Sequence, residues 1–238
     1  MLPTAVHGRA AEASLSLPPS SLLESAARAR SLVLRGLSTP ALFRAALTGI
    51  PPLARDAWVD GVLGLGGPDG LADDGPALPS GCVPYLPCPV DALLRLTEGA
   101  SVCASDVFVD IGSGVGRAGA IVHLLTGATV LGVEVQPALV AVARELAARL
   151  RLSALSFVEG DAGQLAIVGT AGSVFFLYCP FSGDRLVRLL ASLASIARER
   201  PLRVCCVDLP LPPCPWLEPL PPLSLDLAIY RSLPPGAA

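Results

Sequence analysis

Hydropathy changes period once along this chain. Between residues 21 and 65 apolar positions recur every three to four residues, whereas beyond Asp106 short apolar runs alternate with stretches of helical period. In "SLLESAARARSLVLRGL" Leu22, Ala26, Leu32 and Val33 share a helical stripe that Gly36 stops. "TPALFRAAL" predicts a second helix, with Thr39 as its cap and Pro40 in its first turn. A third, shorter helix is expected in "LARDAWVDGVLGL", ahead of the turn-rich linker "GGPDGLADDGPALPSG". Residues 1–20 read as a loose arm. The second half predicts strands at 107–110, 129–134, 156–159, 173–178, 203–208 and 225–230, with helices at 117–125, 137–150 and 184–198 between them. That alternation belongs to parallel βαβ units. The last connection, "LPLPPCPWLEPLPPLS", has too many prolines for a crossover helix, so the final strand should return antiparallel.

Composition narrows the classes. The 238 residues suit one domain, long enough to bury roughly three quarters of its unfolded surface. Hydrophobic residues make up 52% of the chain and aromatic ones 5%, so the core must be built mainly of Leu, Val and Ala. All 17 basic residues are Arg, spread without forming a block, and the net charge is −3. A salt-sensitive grip on nucleic acid needs a basic face, and none is legible. The seven cysteines form no CxxC pair, and only His7 and His123 could join them. They read as reduced thiols of a cytoplasmic protein, with no metal site. The first twenty residues lack the basic start and apolar run of a signal peptide, and Asp110, Arg117 and Glu134 interrupt the most apolar region. The chain is expected to be soluble and to touch no membrane.

Candidate chemistry gathers where strands end. "DVFVDIGSGVGRAGAIVHLLTG" runs a strand into Gly112-Ser113-Gly114-Val115-Gly116-Arg117 and then into a helix. A dinucleotide fingerprint would place its third glycine at the sixth position, where Arg117 stands. Three carboxylates fall at or just after successive strand ends: Asp110, Glu134 in "VLGVEVQP" and Asp161 in "FVEGDAGQL". Ligands of open parallel sheets bind beyond those ends, so all three are expected to point into one cleft. Carboxylates accept hydrogen bonds from paired hydroxyls and amines. Glu134 would take both hydroxyls of a ribose, and Asp161 with the N–H of Ala162 would take an adenine edge. Asp110 would steady an amino-bearing tail, directly or through water.

These segments resemble a known family. "VFVDIGSGVGR", "GVEVQP" and "VEGDA" are similar to the successive cofactor motifs of class I S-adenosylmethionine-dependent methyltransferases, over about residues 85–231. "FVDIGSGVG" is especially similar to the glycine motif of the non-SET histone-lysine methyltransferases. "PYLPCPVDALLRL" resembles the segment that leads into the fold of small prokaryotic protein-lysine methyltransferases. The resemblance implies a Rossmann-like, doubly wound and mostly parallel seven-stranded sheet with a C-terminal antiparallel hairpin. Residues 1–80 would form an arm, helical segment and linker, and 81–238 an S-adenosyl-L-methionine-binding domain. It implies cofactor contacts from Tyr85, Cys88, Asp110, Gly112, Ser113, Gly114, Gly116, Glu134, Asp161 and Ala162. The family's polar acceptor motif after the fourth strand is replaced here by Cys179-Pro180-Phe181, the candidate catalytic wall. Cys179 has no assignable base beside it and reads as a wall residue rather than a nucleophile.

Three functions stay open at this point. The first is a methyltransferase acting on a protein side chain such as lysine or on a small molecule, the second an NAD-type oxidoreductase, and the third a binding module without catalysis. The helical segment is expected to cover the cleft or the acceptor path rather than to form a domain of its own.

Overall fold

The structure is a computed structural model and describes residues 19–65, 78–79, 81–162, 172–222 and 224–234. Most of the expected arm and linker therefore lies outside the described residues. Four helices precede the first strand: α1 (Pro19–Leu34), α2 (Pro40–Thr48), α3 (Arg55–Leu63) and α4 (Val90–Gly99). The alternating half follows as β1 (Val107–Ile111), α5 (Arg117–Thr126), β2 (Thr129–Glu134), α6 (Pro137–Leu150), β3 (Leu155–Glu159), β4 (Val174–Tyr178), α7 (Gly183–Ala197) and β5 (Arg203–Val207). Two strands close the chain, β6 (Leu217–Pro219) and β7 (Leu227–Ser232).

Together they form one seven-stranded sheet in the order β3-β2-β1-β4-β5-β7-β6. The first five strands are mutually parallel, and β7 runs antiparallel to both β5 and β6. The fold is thus the expected α/β, Rossmann-like sheet with an antiparallel end. Strand order reverses between β1 and β4, which opens a crevice at the carboxyl ends of those two strands.

Strand alternation sorts side chains onto two faces. Phe108, Val130, Val174 and Phe176 point into a core shared with α4, α5 and α6, while Val109, Val133, Phe175 and Leu177 point into one shared with α7. Helices α1 to α3 extend the first core outward. Trp58 and Phe43 are fully enclosed in it, their ring centroids 5.7 Å apart, and the Trp58 indole N–H donates to Ser25 Oγ at 3.1 Å.

Three elements differ from the sequence reading. Helix α4 was not expected, because the segment was read only as an approach to the sheet. It begins directly after Pro89, and Asp56 Oδ1 of α3 accepts from the Val90 N–H at 3.1 Å, so its cap comes from a distant residue. Strand β6 was hidden among prolines; at the edge of a sheet Pro219 costs no ladder bond. Strand β7 starts two residues later than expected, at Leu227. Among the described residues no helix is long and apolar enough to cross a membrane.

Candidate functional site

The glycine turn is held shut against the end of β2. Gly112, Gly114 and Gly116 all have left-handed backbones, with φ of 77°, 52° and 78°. The N–H groups of Gly112 and Ser113 both donate to the Val133 carbonyl, at 2.8 and 3.1 Å. The Gly114 N–H donates to Glu134 Oε2 at 2.9 Å, and the Gln136 N–H donates to Oε1 at 2.9 Å. Glu134 is therefore fixed by the turn it accompanies. Its carboxylate retains roughly two of its four lone-pair sites for a further ligand.

A cavity of ≈ 350 Å³ opens where these strands end. Gly112, Glu134, Gln136, Asp161 and Ala162 line one side, Tyr178, Cys179, Pro180, Phe181 and Asp208 another, and residues 82–86 cross it as a strap. The strap is pinned to the loop after β4: Cys82 and Phe181 form an antiparallel bridge, and the Val83 N–H donates to the Pro180 carbonyl at 3.2 Å. Asp161 is ion-paired with Arg185 of α7 at 2.5 Å, so one side of its carboxylate is already engaged.

The expected site residues divide into two groups. Tyr85, Gly112, Glu134, Asp161, Ala162, Cys179, Pro180 and Phe181 are brought together around the cavity. Asp110, Ser113, Gly114, Gly116 and Cys88 do not line it. Asp110 points to the face covered by α5 and is 2% exposed, because alternation along β1 places it on the same side as Phe108. Its Oδ2 makes no hydrogen bond of good geometry among the described residues; burial, then the Glu134 charge, raise its pKa to about 7, and the nearby Gly119 N–H offsets them only in part. The three carboxylates therefore do not converge on one cleft: two do, and the third lies beneath the turn. A Cβ on Gly114 would sit 2.1 Å from the Tyr85 ring, and one on Gly116 2.6 Å from the Phe157 ring. Both glycines make room for protein side chains. Cys88 is enclosed in the core and burial pushes its thiol pKa up, while its carbonyl serves another residue.

That other residue is Arg117. Its side chain is 3% exposed; Nε donates to Asp60 Oδ1 at 2.6 Å, Nη2 to Asp56 Oδ1 at 2.8 Å and Nη1 to the Cys88 carbonyl at 2.7 Å. Burial alone would lower its pKa, but the bonds and charges of Asp60 and Asp56 outweigh that, and the net direction is upward. Arg117 thereby joins α3, the start of α4 and the end of the glycine turn. The N-terminal helices meet the site through this clamp: among the described residues, none before Leu78 lines the cavity. The described N-terminal helices therefore do not line this cavity, whereas the sequence reading has them cover the cleft or the acceptor path.

Sequence reasoning also missed Gln136, Arg185 and Asp208. Asp208 was read only as a strand end. It and Cys179 terminate neighbouring strands with left-handed backbones, φ 50° and 42°, and the Cys179 thiol donates to the Asp208 carbonyl at 2.8 Å. Burial and the Asp208 charge raise the Cys179 pKa, so this thiol stays protonated as a donor. Among the described residues no cluster of three or more His, Cys, Asp or Glu is placed to hold a metal ion.

No protein-family model and no curated protein sequence matches the chain. Solved structures do resemble it. One is an RNA methyltransferase from Salinibacter ruber in complex with S-adenosyl-L-homocysteine, 27% identical over 62% of this chain and 92% of that one, with a TM-score of 0.47. Another is a putative methyltransferase, yhhF, from Escherichia coli, 20% identical over 65% of this chain and 88% of that one, TM-score 0.49. A third, the mitomycin 7-O-methyltransferase MmcR, is 17% identical over 60% of this chain and 52% of that one, TM-score 0.47.

Proposed function

We propose that the chain is an S-adenosyl-L-methionine-dependent methyltransferase. The observation that carries this reading is Glu134, a carboxylate at the end of β2 that is locked by the N–H of the glycine turn yet still borders the cavity. A ribose diol needs such an acceptor, held in place and with lone pairs to spare. Asp161 and Ala162, one strand further along, would hold the adenine edge, and Tyr85 with the loop after β4 would enclose the reacting end. S-adenosylmethionine supplies a methyl group on a sulfonium, whose departure as a thioether requires no acid. The protein's part is then to align acceptor and donor and to exclude water, a positioning effect worth up to several kcal/mol. The strap and the Cys179-Pro180-Phe181 wall suit that task.

The acceptor favoured by the sequence resemblance is a protein side chain such as lysine, with a small molecule as the second reading. The division at residue 80 is also proposed as organisation, with the helical segment serving the catalytic part through Arg117.

Titration of S-adenosylhomocysteine and its 2′-deoxy analogue against wild type and Glu134→Gln tests the donor assignment. Glutamine can accept through only one of its two arms, and a hydrogen bond to a charged group is worth about 1.5–3 kcal/mol, so affinity should fall about ten-fold or more. Wild type should prefer the diol and the variant should lose that preference. Equal discrimination by both proteins would remove Glu134 as the ribose ligand. Labelling a lysate with methyl-labelled cofactor then separates protein from small-molecule acceptors, and the absence of any transfer would favour a binding module.

A further inference from the structure

A second cavity of ≈ 680 Å³ lies beside the first, over the carboxyl end of β5 and the start of β7. Its walls are largely apolar and proline-rich, with Leu209, Pro210, Pro219, Leu220, Pro222 and Tyr230 among them. Asp208 borders both cavities, and among the described residues it is the only one that does. Its backbone is held on two sides: the Cys179 thiol donates to its carbonyl, and its own N–H donates to the Asp226 carbonyl at 2.8 Å. Its side chain is exposed, and among the described residues no cation pairs with it. The neighbouring carboxylates are engaged: Asp161 with Arg185, Asp226 with Arg95 at 2.9 Å, and Glu134 with two backbone N–H groups.

We propose that the second cavity is the acceptor's route, and that Asp208 at its junction with the first selects an acceptor carrying an amine on an extended arm. This rests on the donor reading of the first cavity. An anionic acceptor would meet like charge at the junction, and an alcohol would need a stronger base than a carboxylate to lose its proton. An amine, once neutral, needs no base. Its lone pair forms the N–C bond as the C–S bond breaks, and the electrons of that bond remain on sulfur. Positive charge thus moves from sulfur to nitrogen, beside Asp208, and one N–H proton then leaves to water. Asp208 accepts an N–H from the incoming amine and faces the charge of the product.

The test uses S-adenosylhomocysteine analogues whose sulfur is replaced by a nitrogen bearing either an aminohexyl or a hexyl arm, titrated calorimetrically against the full chain. Wild type should bind the aminohexyl analogue about ten-fold or more tighter than the hexyl one, as for a hydrogen bond to a charged group. Asp208→Asn should bring that ratio close to one, with S-adenosylhomocysteine titrated alongside so that any loss at the first cavity, which Asp208 also borders, cancels from the ratio. Ala228→Trp, which fills the second cavity, should weaken both armed analogues and spare S-adenosylhomocysteine. An unchanged ratio in Asp208→Asn, or full binding of the armed analogues to Ala228→Trp, overturns the acceptor assignment and leaves the donor site standing. Failure of wild type to bind S-adenosylhomocysteine overturns the donor reading itself.

Discussion

Removing the aspartates from the Arg117 clamp should harm the protein more than removing the arginine. Asp56 and Asp60 have side chains 52% and 35% exposed, whereas Arg117 is 3% exposed. In Asp56→Asn/Asp60→Asn a buried guanidinium keeps its charge with only neutral acceptors around it, a situation that costs about 3–5 kcal/mol. In Arg117→Met both carboxylates rehydrate, and the main loss is the buried Cys88 carbonyl's partner, about 1–3 kcal/mol. Adding Arg117→Met to the double variant should therefore recover about 1–3 kcal/mol of stability rather than compound the damage. Urea unfolding followed by far-UV circular dichroism, with all four proteins at one pH and salt concentration, measures the cycle. If Arg117→Met is the most damaging change, or the triple variant is the least stable, the clamp is not a buried charge stabilised by two half-exposed partners.

Other outcomes follow from the same geometry. Gly114→Ala would place its methyl 2.1 Å from the Tyr85 ring, so S-adenosylhomocysteine affinity should drop, and Tyr85→Ala in the same chain should restore part of it; calorimetry on the two variants decides. Asp110 has its pKa raised from 3.8 to about 7, so the folded state holds a proton that the unfolded state releases in that window. Wild-type stability should accordingly decline as pH rises through that window and level off above it. Asp110→Asn should gain on wild type by an amount on the order of a few kcal/mol between pH 4 and pH 8, since each pKa unit is worth about 1.4 kcal/mol; parallel stability curves for the two proteins would contradict this. Deleting residues 1–80 exposes Arg117 and the core around Leu93 and Ile121, so the truncated chain should fail to unfold cooperatively, which calorimetric melting would show.

The alternating half of the fold was legible because each element there carries its own signal. Apolar runs, glycine stops and a proline in the first turn of α6 are local features, and β2 and α6 fall where the periodicity puts them. What stayed hidden depended on distant partners. Helix α4 borrows its cap from Asp56, 34 positions away, and Arg117 finds Asp60 and Asp56 at separations of 57 and 61. A single sequence shows Arg117 only as the residue that spoils a dinucleotide motif. The site was half legible for the same reason. Glu134 and Asp161, singled out by their strand-end positions, do border the cavity, but the pleat decides which face a side chain takes, and it turned Asp110 inward. Asp208 went unnoticed because nothing local distinguishes a terminal aspartate from one placed between two cavities.

Cys179 and Asp208 hold left-handed backbones that cost an L-residue roughly 1–2 kcal/mol each relative to glycine. Glycine at either position would relax the chain and erase a side chain of the cavity in the same step. Directed evolution of this protein for heat tolerance alone should drift toward glycine at 179 and 208, and its survivors should be robust and inert. Under selection for turnover, both positions should stay occupied by the strained residues, so the two regimes would leave opposite marks on adjacent strand tips.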